Sequence, residues 1–297
     1  MTDDALTARR AHYAGFFGDL PRTDYGVVVG NCQAESVRIV LDSDDLTLLR
    51  VPPVYEMDAA EAARLHEVLA GASVLIAQPV KDDYHDLPLG TRQLAASLPA
   101  SGRAVTFPVV RFSGLYPFQA VLHVPGTEED PPIVAYHDVR TLAEAGGIPV
   151  RDALGADAVR AEAADSIAEL ERREQQLDVG VSDLFAAPGF DLVRTVNHPG
   201  NPVILAIGDR VLRALGRQGA ATDPGRPLLD AVHAPREDWV IDAWGLDAVP
   251  EPVWRVNGDL VDPAEIREAH LEWYRRNPDF VRGALERLRP TLERWRR

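Results

Sequence analysis

The sequence predicts an α/β protein: a doubly wound, mostly parallel sheet flanked by helices, with a helical C-terminal extension. Three observations predict it. Short β-branched runs alternate with helical patterns from residue 25 to residue 107. The first run, Tyr25-Gly26-Val27-Val28-Val29, ends in Gly30-Asn31-Cys32-Gln33 and passes at once into residues with the apolar spacing of a helix. From Pro263 to Trp295 the helical pattern returns, interrupted at Asn277-Pro278.

Taken in order, residues 5–17 place Leu6, Tyr13, Phe16 and Phe17 in a short amphipathic helix. The 25–29 strand and the helix opened by Cys32 follow. Leu46 to Val51 reads as a second strand, stopped by Pro52-Pro53. An Ala-rich helix over 58–70 begins at an Asp58 cap. Ser73 to Ala77 is a third strand ended by Gln78-Pro79, Leu89 to Leu98 a helix, and Ala104 to Phe107 a fourth strand closed by Pro108. In such sheets the site lies outside the carboxyl ends of the strands, where Cys32 and the 78–85 loop both fall.

Beyond residue 112 the pattern loosens. Gly126 to Pro132 is an acidic, proline-bearing loop. Residues 156–177 carry Val159, Ala163, Ile167, Leu170 and Leu177 on one helical stripe, with a solvated charged face opposite. Asp191 to Arg194 is a short extended segment leading into Thr195-Val196-Asn197-His198-Pro199-Gly200-Asn201-Pro202, and a helix runs on to Leu215. Residues 217–259 are rich in Pro, Gly and Asp and hold three of the five tryptophans. Composition therefore divides the chain into an α/β catalytic domain, 1–216, and a loop-rich and helical extension, 217–297, packed on the same domain. The tail reads equally as a lid, a homodimer contact or further core.

The net charge is -15, from 46 acidic against 31 basic residues. A field of that sign argues against nucleic acid and anionic membrane as partners, though not against an anionic cofactor in a local basic pocket. One cysteine precludes an intrachain disulfide and a cysteine-based zinc cluster. The start of the chain lacks the apolar core of a signal peptide, and no run approaches the roughly 20 apolar residues of a membrane span. The expectation is a soluble, cytoplasmic protein without membrane insertion.

The lone cysteine sits where a strand bends into a helix. Unpaired N–H groups there favour negative charge and lower a thiol's pKa, which predicts a nucleophilic thiolate. The Gln33 N–H and the Asn31 and Gln78 side chains are candidate oxyanion donors, and Asn31 also suits a helix cap. A buried structural cysteine is the competing reading. A thiol needs a base. His12, His66 and His270 fall in helical patterns, and His123, His137 and His233 in segments without further signal. His198, held extended by Pro199, is the leading candidate, and His85, after Lys81-Asp82-Asp83-Tyr84, is next. Asp82, Asp83, His85 and His198 lack any metal-ligand spacing, so no metal is expected.

Gly30-Asn31-Cys32-Gln33, Gln78 with Asp83-Tyr84, Leu89-Gly90-Thr91, Phe112-Ser113-Gly114-Leu115-Tyr116-Pro117 and Asn197-His198-Pro199 occur in this order. Together they resemble the WcbI-type polysaccharide-biosynthesis acetyltransferase family, over roughly residues 24 to 215. That family looks like a cysteine version of the SGNH-hydrolase arrangement. The resemblance implies an SGNH-like three-layer sandwich, coenzyme A binding and acyl transfer, with Cys32 as nucleophile and His198 as the late histidine. SGNH enzymes place an aspartate three residues before their histidine; here that position is Thr195. Asn201, Asp191 or a backbone carbonyl is left to orient the ring, with Asn197 beside it.

Three functions follow from these residues. In the first, Cys32 takes an acyl group from a coenzyme A thioester and His198 helps pass it to a hydroxyl or amine acceptor, a sugar in the family expectation. Lys81, Arg92 and Arg111 are the cations offered to the donor's phosphates, ordinary surface charge being the alternative. In the second, water is the acceptor and the chain is a thioesterase, esterase or amidase. In the third, it is a ligand-binding or redox-sensing module without catalysis.

Overall fold

The computed structural model describes residues 3–21, 24–127 and 129–296. Residue 128 of the expected acidic loop and the first two residues lie outside them. The chain forms two compact units, one of residues 1–110, 170–184 and 200–228, the other of 111–169, 185–199 and 229–297. This division does not follow a boundary at residue 216. Composition marks where character changes along a chain, whereas long-range packing decides which segments group together.

The first unit is built on a four-stranded parallel sheet: β1 (Gly26–Val29), β2 (Leu48–Leu49), β3 (Val74–Ala77) and β4 (Arg103–Thr106), in the order β2-β1-β3-β4. Val29 pairs with Ala77 and Ala77 with Thr106, so three strands end level at their carboxyl ends. All four residues of β1 and of β3 are buried, as expected of a sheet covered on both faces. Val27, Val29, Leu75 and Ala77 point into a core with Leu65, Val68 and Leu69 of the Ala59–Leu69 helix. Val28 and Ile76 alternate to the opposite face, on which the helices Cys32–Leu41 and Asn201–Ala214 pack together. The alternation read from sequence is thus the observed fold class.

Details differ where termination is local. The expected second strand shrinks to two residues because Ser43 and Leu46 close a tight turn before it. The 5–17 helix breaks at Tyr13 into Asp3–His12 and Ala14–Phe17. The Ala59–Leu69 helix begins in a full capping box, Asp58 accepting from the Glu61 N–H and the Glu61 carboxylate accepting from the Asp58 N–H.

The second unit has short antiparallel pairings. Val232–His233, Trp254–Val256 and Asp259–Val261 form a three-stranded sheet, Gln119–Ala120 pairs with His137–Asp138, and Val193–Thr195 pairs with His198–Pro199. The segment expected to be loop over 217–259 thus contributes strands and the Asp238–Trp244 helix, whose stop is Gly245 in the left-handed region at φ 64°. The helices Pro263–Arg276 and Pro278–Trp295 meet at Asn277, where the proline starts the second one. Their core holds Leu142, Trp273, Tyr274, Phe280 and Ala284. His137 is buried against it, Nδ1 2.7 Å from the Tyr274 hydroxyl and the ring stacked on Phe280. Burial pushes its pKa down to about 3.

Candidate active site

The turn after β1 is latched by two glutamines. The Gln78 Oε1 accepts from the Asn31 N–H at 2.8 Å, and its Nε2 lies 3.3 Å from Gln33 Oε1 and 3.4 Å from the Pro108 carbonyl. Gln33 closes a reciprocal pair with Val110, Nε2 donating to the carbonyl and Oε1 accepting from the N–H, both at 2.9 Å. Both side chains are fully buried, so each such bond satisfies a group that water cannot reach. Gly30 is required beside them: a Cβ there would stand 2.3 Å from Gln78 Oε1.

Cys32 is the first residue of the helix Cys32–Leu41, and Asn31 caps it, Oδ1 accepting from the Gln33 N–H at 2.9 Å. That fixes the other amide atom, Nδ2, as the donor Asn31 can turn to a ligand. The thiol is half-buried. Burial raises its pKa above the ordinary value, the N–H groups of Cys32 and Gln33 pulling the other way. The depressed pKa expected from a helix start is therefore overturned, because desolvation of a thiolate outweighs two N–H dipoles.

The oxyanion candidates separate on this geometry. The Gln78 amide is occupied by Gln33 and Pro108; the Gln33 N–H serves the Asn31 cap and also faces the Cys32 sulfur, and Asn31 keeps its Nδ2 as a donor. Tyr55, which carries no sequence signal, lies within electrostatic range of Cys32, its hydroxyl pushed up to about 12 by burial and then by the Cys32 charge. Beside the turn a cleft of about 30 Å³, lined by Asn31, Glu35, Arg50 and Pro52, has room for one water. Arg50 pairs with Glu35 at 2.9 Å there.

The loop after β3 is held by Thr91, whose hydroxyl accepts from the Val80 N–H and donates to the Gln78 carbonyl. Asp83 accepts from Gln93 at 2.7 Å, Tyr84 packs on the core, and His85 is exposed with its edge against Tyr84. Asp83, His85 and Asp86 adopt positive φ, at 52°, 53° and 62°, which is uncommon for residues with a Cβ. Lys81 is exposed on this loop. Arg92 is paired with Asp82. Arg111 belongs to the second unit.

His198 also belongs to the second unit. The Val232 backbone faces the His198 ring and partly offsets the effect of burial on its pKa. Its Nδ1 is buried with no hydrogen-bond partner among the described residues. The contact to Val232 then falls to Nε2, and Nδ1 is the lone-pair nitrogen. Burial pushes the ring's pKa down to about 4, so it is neutral at pH 7. The Thr195 hydroxyl accepts from the His198 N–H at 3.1 Å and lies 3.0 Å from the Tyr136 hydroxyl, which donates to Asn197 Oδ1 at 2.8 Å. The Tyr136 ring meets His198 edge-on, centroids 5.8 Å apart. Asn201 stands apart from this network, stapling the 226–228 segment through Arg226 and Leu228. Among the described residues no group of three or more His, Cys, Asp or Glu could hold a metal ion, and no helix is long and apolar enough to cross a membrane.

The fold and the turn define an α/β protein with a half-buried cysteine opening a helix at the carboxyl end of a parallel strand. A family model, the polysaccharide biosynthesis enzyme WcbI, matches residues 25–220. The chain belongs to that family of polysaccharide biosynthesis enzymes. A solved structure described as native WcbI, a polysaccharide biosynthesis enzyme, without a disulfide bond between coenzyme A and one of its cysteines, is similar at a TM-score of 0.73 and 19% identity, over 92% of this chain and 99% of that one. At that identity the likeness shows the fold. No curated protein matches the sequence.

Proposed function

We propose that this chain is a cysteine-dependent acyltransferase that takes an acyl group from a coenzyme A thioester and passes it to a hydroxyl or amine. The observation that carries the reading is the placement of Cys32. The half-buried Cys32 opens a helix whose start is latched by the buried Gln33 and Gln78 side chains, with the Asn31 amide as a donor. Membership of a polysaccharide biosynthesis family supports an enzyme, and the description of the solved relative supports coenzyme A as the partner. Lys81 is the cation of the site loop left to meet the donor's phosphates.

In this reading the Cys32 Sγ attacks the thioester carbonyl. A new S–C bond forms, the bond to the coenzyme A sulfur breaks, and the sulfur leaves as the free thiol carrying the Cys32 proton. Exchange of one thioester for another is close to balanced, which suits a cysteine. The acceptor then attacks acyl-Cys32 and His198 takes its proton as general base. The raised thiol and the depressed imidazole both favour neutral forms, so the resting state is thiol and imidazole rather than the thiolate expected from sequence. The same raised thiol weighs against redox sensing, which favours low-pKa cysteines.

Intact-protein mass after incubation with acetyl-CoA tests this. The expected result is one acetyl group on the native chain, absent in Cys32→Ala and slow to leave when an acceptor is supplied in His198→Ala. An adduct that persists in Cys32→Ala overturns the role of Cys32, and no adduct on the native chain overturns acyl transfer. Free coenzyme A released continuously without an acceptor assigns the chain to the hydrolases.

A further inference from the structure

The last helix, Pro278–Trp295, carries two stripes of charge that are used differently. Arg287 and Arg294 turn back onto their own unit, the first to the His123 carbonyl at 3.4 Å and the second to Asp165 at 2.8 Å and Glu162 at 3.3 Å. Arg282, Glu286, Arg289 and Glu293 form the other stripe and stand exposed. Their spacing of four, three and four residues keeps them on one face of the helix. Arg282 pairs with Asp279 at 2.9 Å and Arg289 with Glu286 at 3.6 Å, all four side chains being at least 65% exposed. The stripe lines a groove of about 530 Å³ together with Ile148, Leu285 and Leu292.

The signs along the stripe run plus, minus, plus, minus. Read from the other end they run minus, plus, minus, plus. A second copy of the helix laid antiparallel therefore sets Arg282 against Glu293 and Glu286 against Arg289, each pair occurring twice about a two-fold axis. A parallel copy in register sets like charge against like and is repelled. Asp279 and Arg296 extend the same alternation at the two ends. Pairs three or four residues apart within one helix account for alternating signs on any solvated face. They do not account for an open groove with an apolar wall beside the charges. The net charge of -15 makes two copies repel at large. This stripe holds as many positive as negative groups, so the repulsion is relieved there.

We propose that this face is the interface of a weak, two-fold symmetric dimer of the chain, with the two Pro278–Trp295 helices packed antiparallel. The pairing is self-complementary and closed, so it stops at two chains. The aliphatic stems of the incoming arginines cover the apolar wall while their heads meet carboxylates. The proposal is independent of the acyltransferase reading, since neither Cys32 nor His198 lines the groove. Exposed ion pairs contribute little each and are screened by salt, so the dimer weakens as salt rises.

Sedimentation velocity of the full chain, from about 1 to about 200 µM in about 20 mM and about 500 mM sodium chloride, tests this. The expected result is a monomer–dimer equilibrium with a Kd of about 10–100 µM at low salt, weakened about tenfold or more at high salt. Two charge-reversed chains sharpen it. Glu286→Arg with Glu293→Arg makes the stripe wholly positive, and Arg282→Glu with Arg289→Glu makes it wholly negative. Each alone is expected to stay monomeric at low salt. An equimolar mixture is expected to recover the dimer, which also shows that both chains are folded. A native chain still monomeric at the highest concentration in low salt overturns the proposal. So does a dimer indifferent to salt, or one that persists in both reversed chains, since either places the contact elsewhere. A mixture of reversed chains that is folded by circular dichroism yet monomeric overturns the antiparallel pairing.

Discussion

The Cys32 turn and the His198 hairpin each carry one proposed catalytic side chain beside a short strand, yet they are built in opposite ways. Around Cys32 the backbone is latched by buried side chains, Gln33 and Gln78, whose hydrogen bonds all go to protein. Around His198 the latch is a hydroxyl and the ring itself keeps one buried nitrogen without a partner. A saturated network fixes geometry and leaves little for a ligand. An orphaned buried acceptor is costly to stability and is where a proton can be received.

Four substitutions or conditions sharpen or break that contrast. The largest effect is expected from Asn31→Asp, which keeps the cap oxygen but replaces the Nδ2 donor with a charge. Acylation by acetyl-CoA should slow by about 10²–10³ with the melting temperature nearly unchanged, and an unaltered rate would remove Asn31 from the oxyanion site. Gln78→Leu should leave the rate question moot by loosening the turn itself. Losing a buried amide that serves three groups is expected to cost about 2–4 kcal/mol, read from urea unfolding. A midpoint equal to the native one would mean that the latch is not structural.

Thr195→Val should cost less, about 1–2 kcal/mol, because it strands mainly the His198 N–H. It should also alter acceptor turnover while leaving first-step acetylation intact, since His198 is assigned to the acceptor step; equal loss in both steps would contradict that assignment. The smallest effect concerns pH. His198 and His137 have folded-state pKa values near 4 and 3, below the ordinary 6.5. The unfolded chain therefore binds more protons between these limits, and stability is full above pH 6.5 and falls as pH drops toward 4 and then 3. Urea midpoints at pH 7 and pH 5 check the sign, and His137→Gln should flatten the slope. A midpoint that rises on acidification would show that these rings are not buried in neutral form.

The parallel sheet was legible because its signals are local. Val27 to Val29 and Val74 to Ala77 are short apolar runs ended by turn residues, and Asp58 with Glu61 announces a helix start within four residues. The turn that carries Cys32 was legible for the same reason. The assignment of the Gln78 side chain as an oxyanion donor was drawn from residue type, and the structure shows that amide turned inward to Gln33 and Pro108, just as the Gln33 side chain turns to Val110. No sequence pattern marks a partner 77 or 30 positions away. Tyr136, Tyr55 and the Val232 backbone were missed on the same ground, as was the sheet at Val232, Trp254 and Asp259, whose strands are two or three residues long. Strands so short hold too few alternations to show a period.

The sequence by itself determined the strand–turn–helix at Cys32, the parallel α/β class, and the break between the last two helices at Asn277-Pro278. Each is set by propensity, periodicity and backbone sterics within a few residues. Only the tertiary structure decided the protonation of Cys32 and His198. Moving a thiol and an imidazole out of water raised one pKa and lowered the other, and burial is a property of the packed chain rather than of any segment in it.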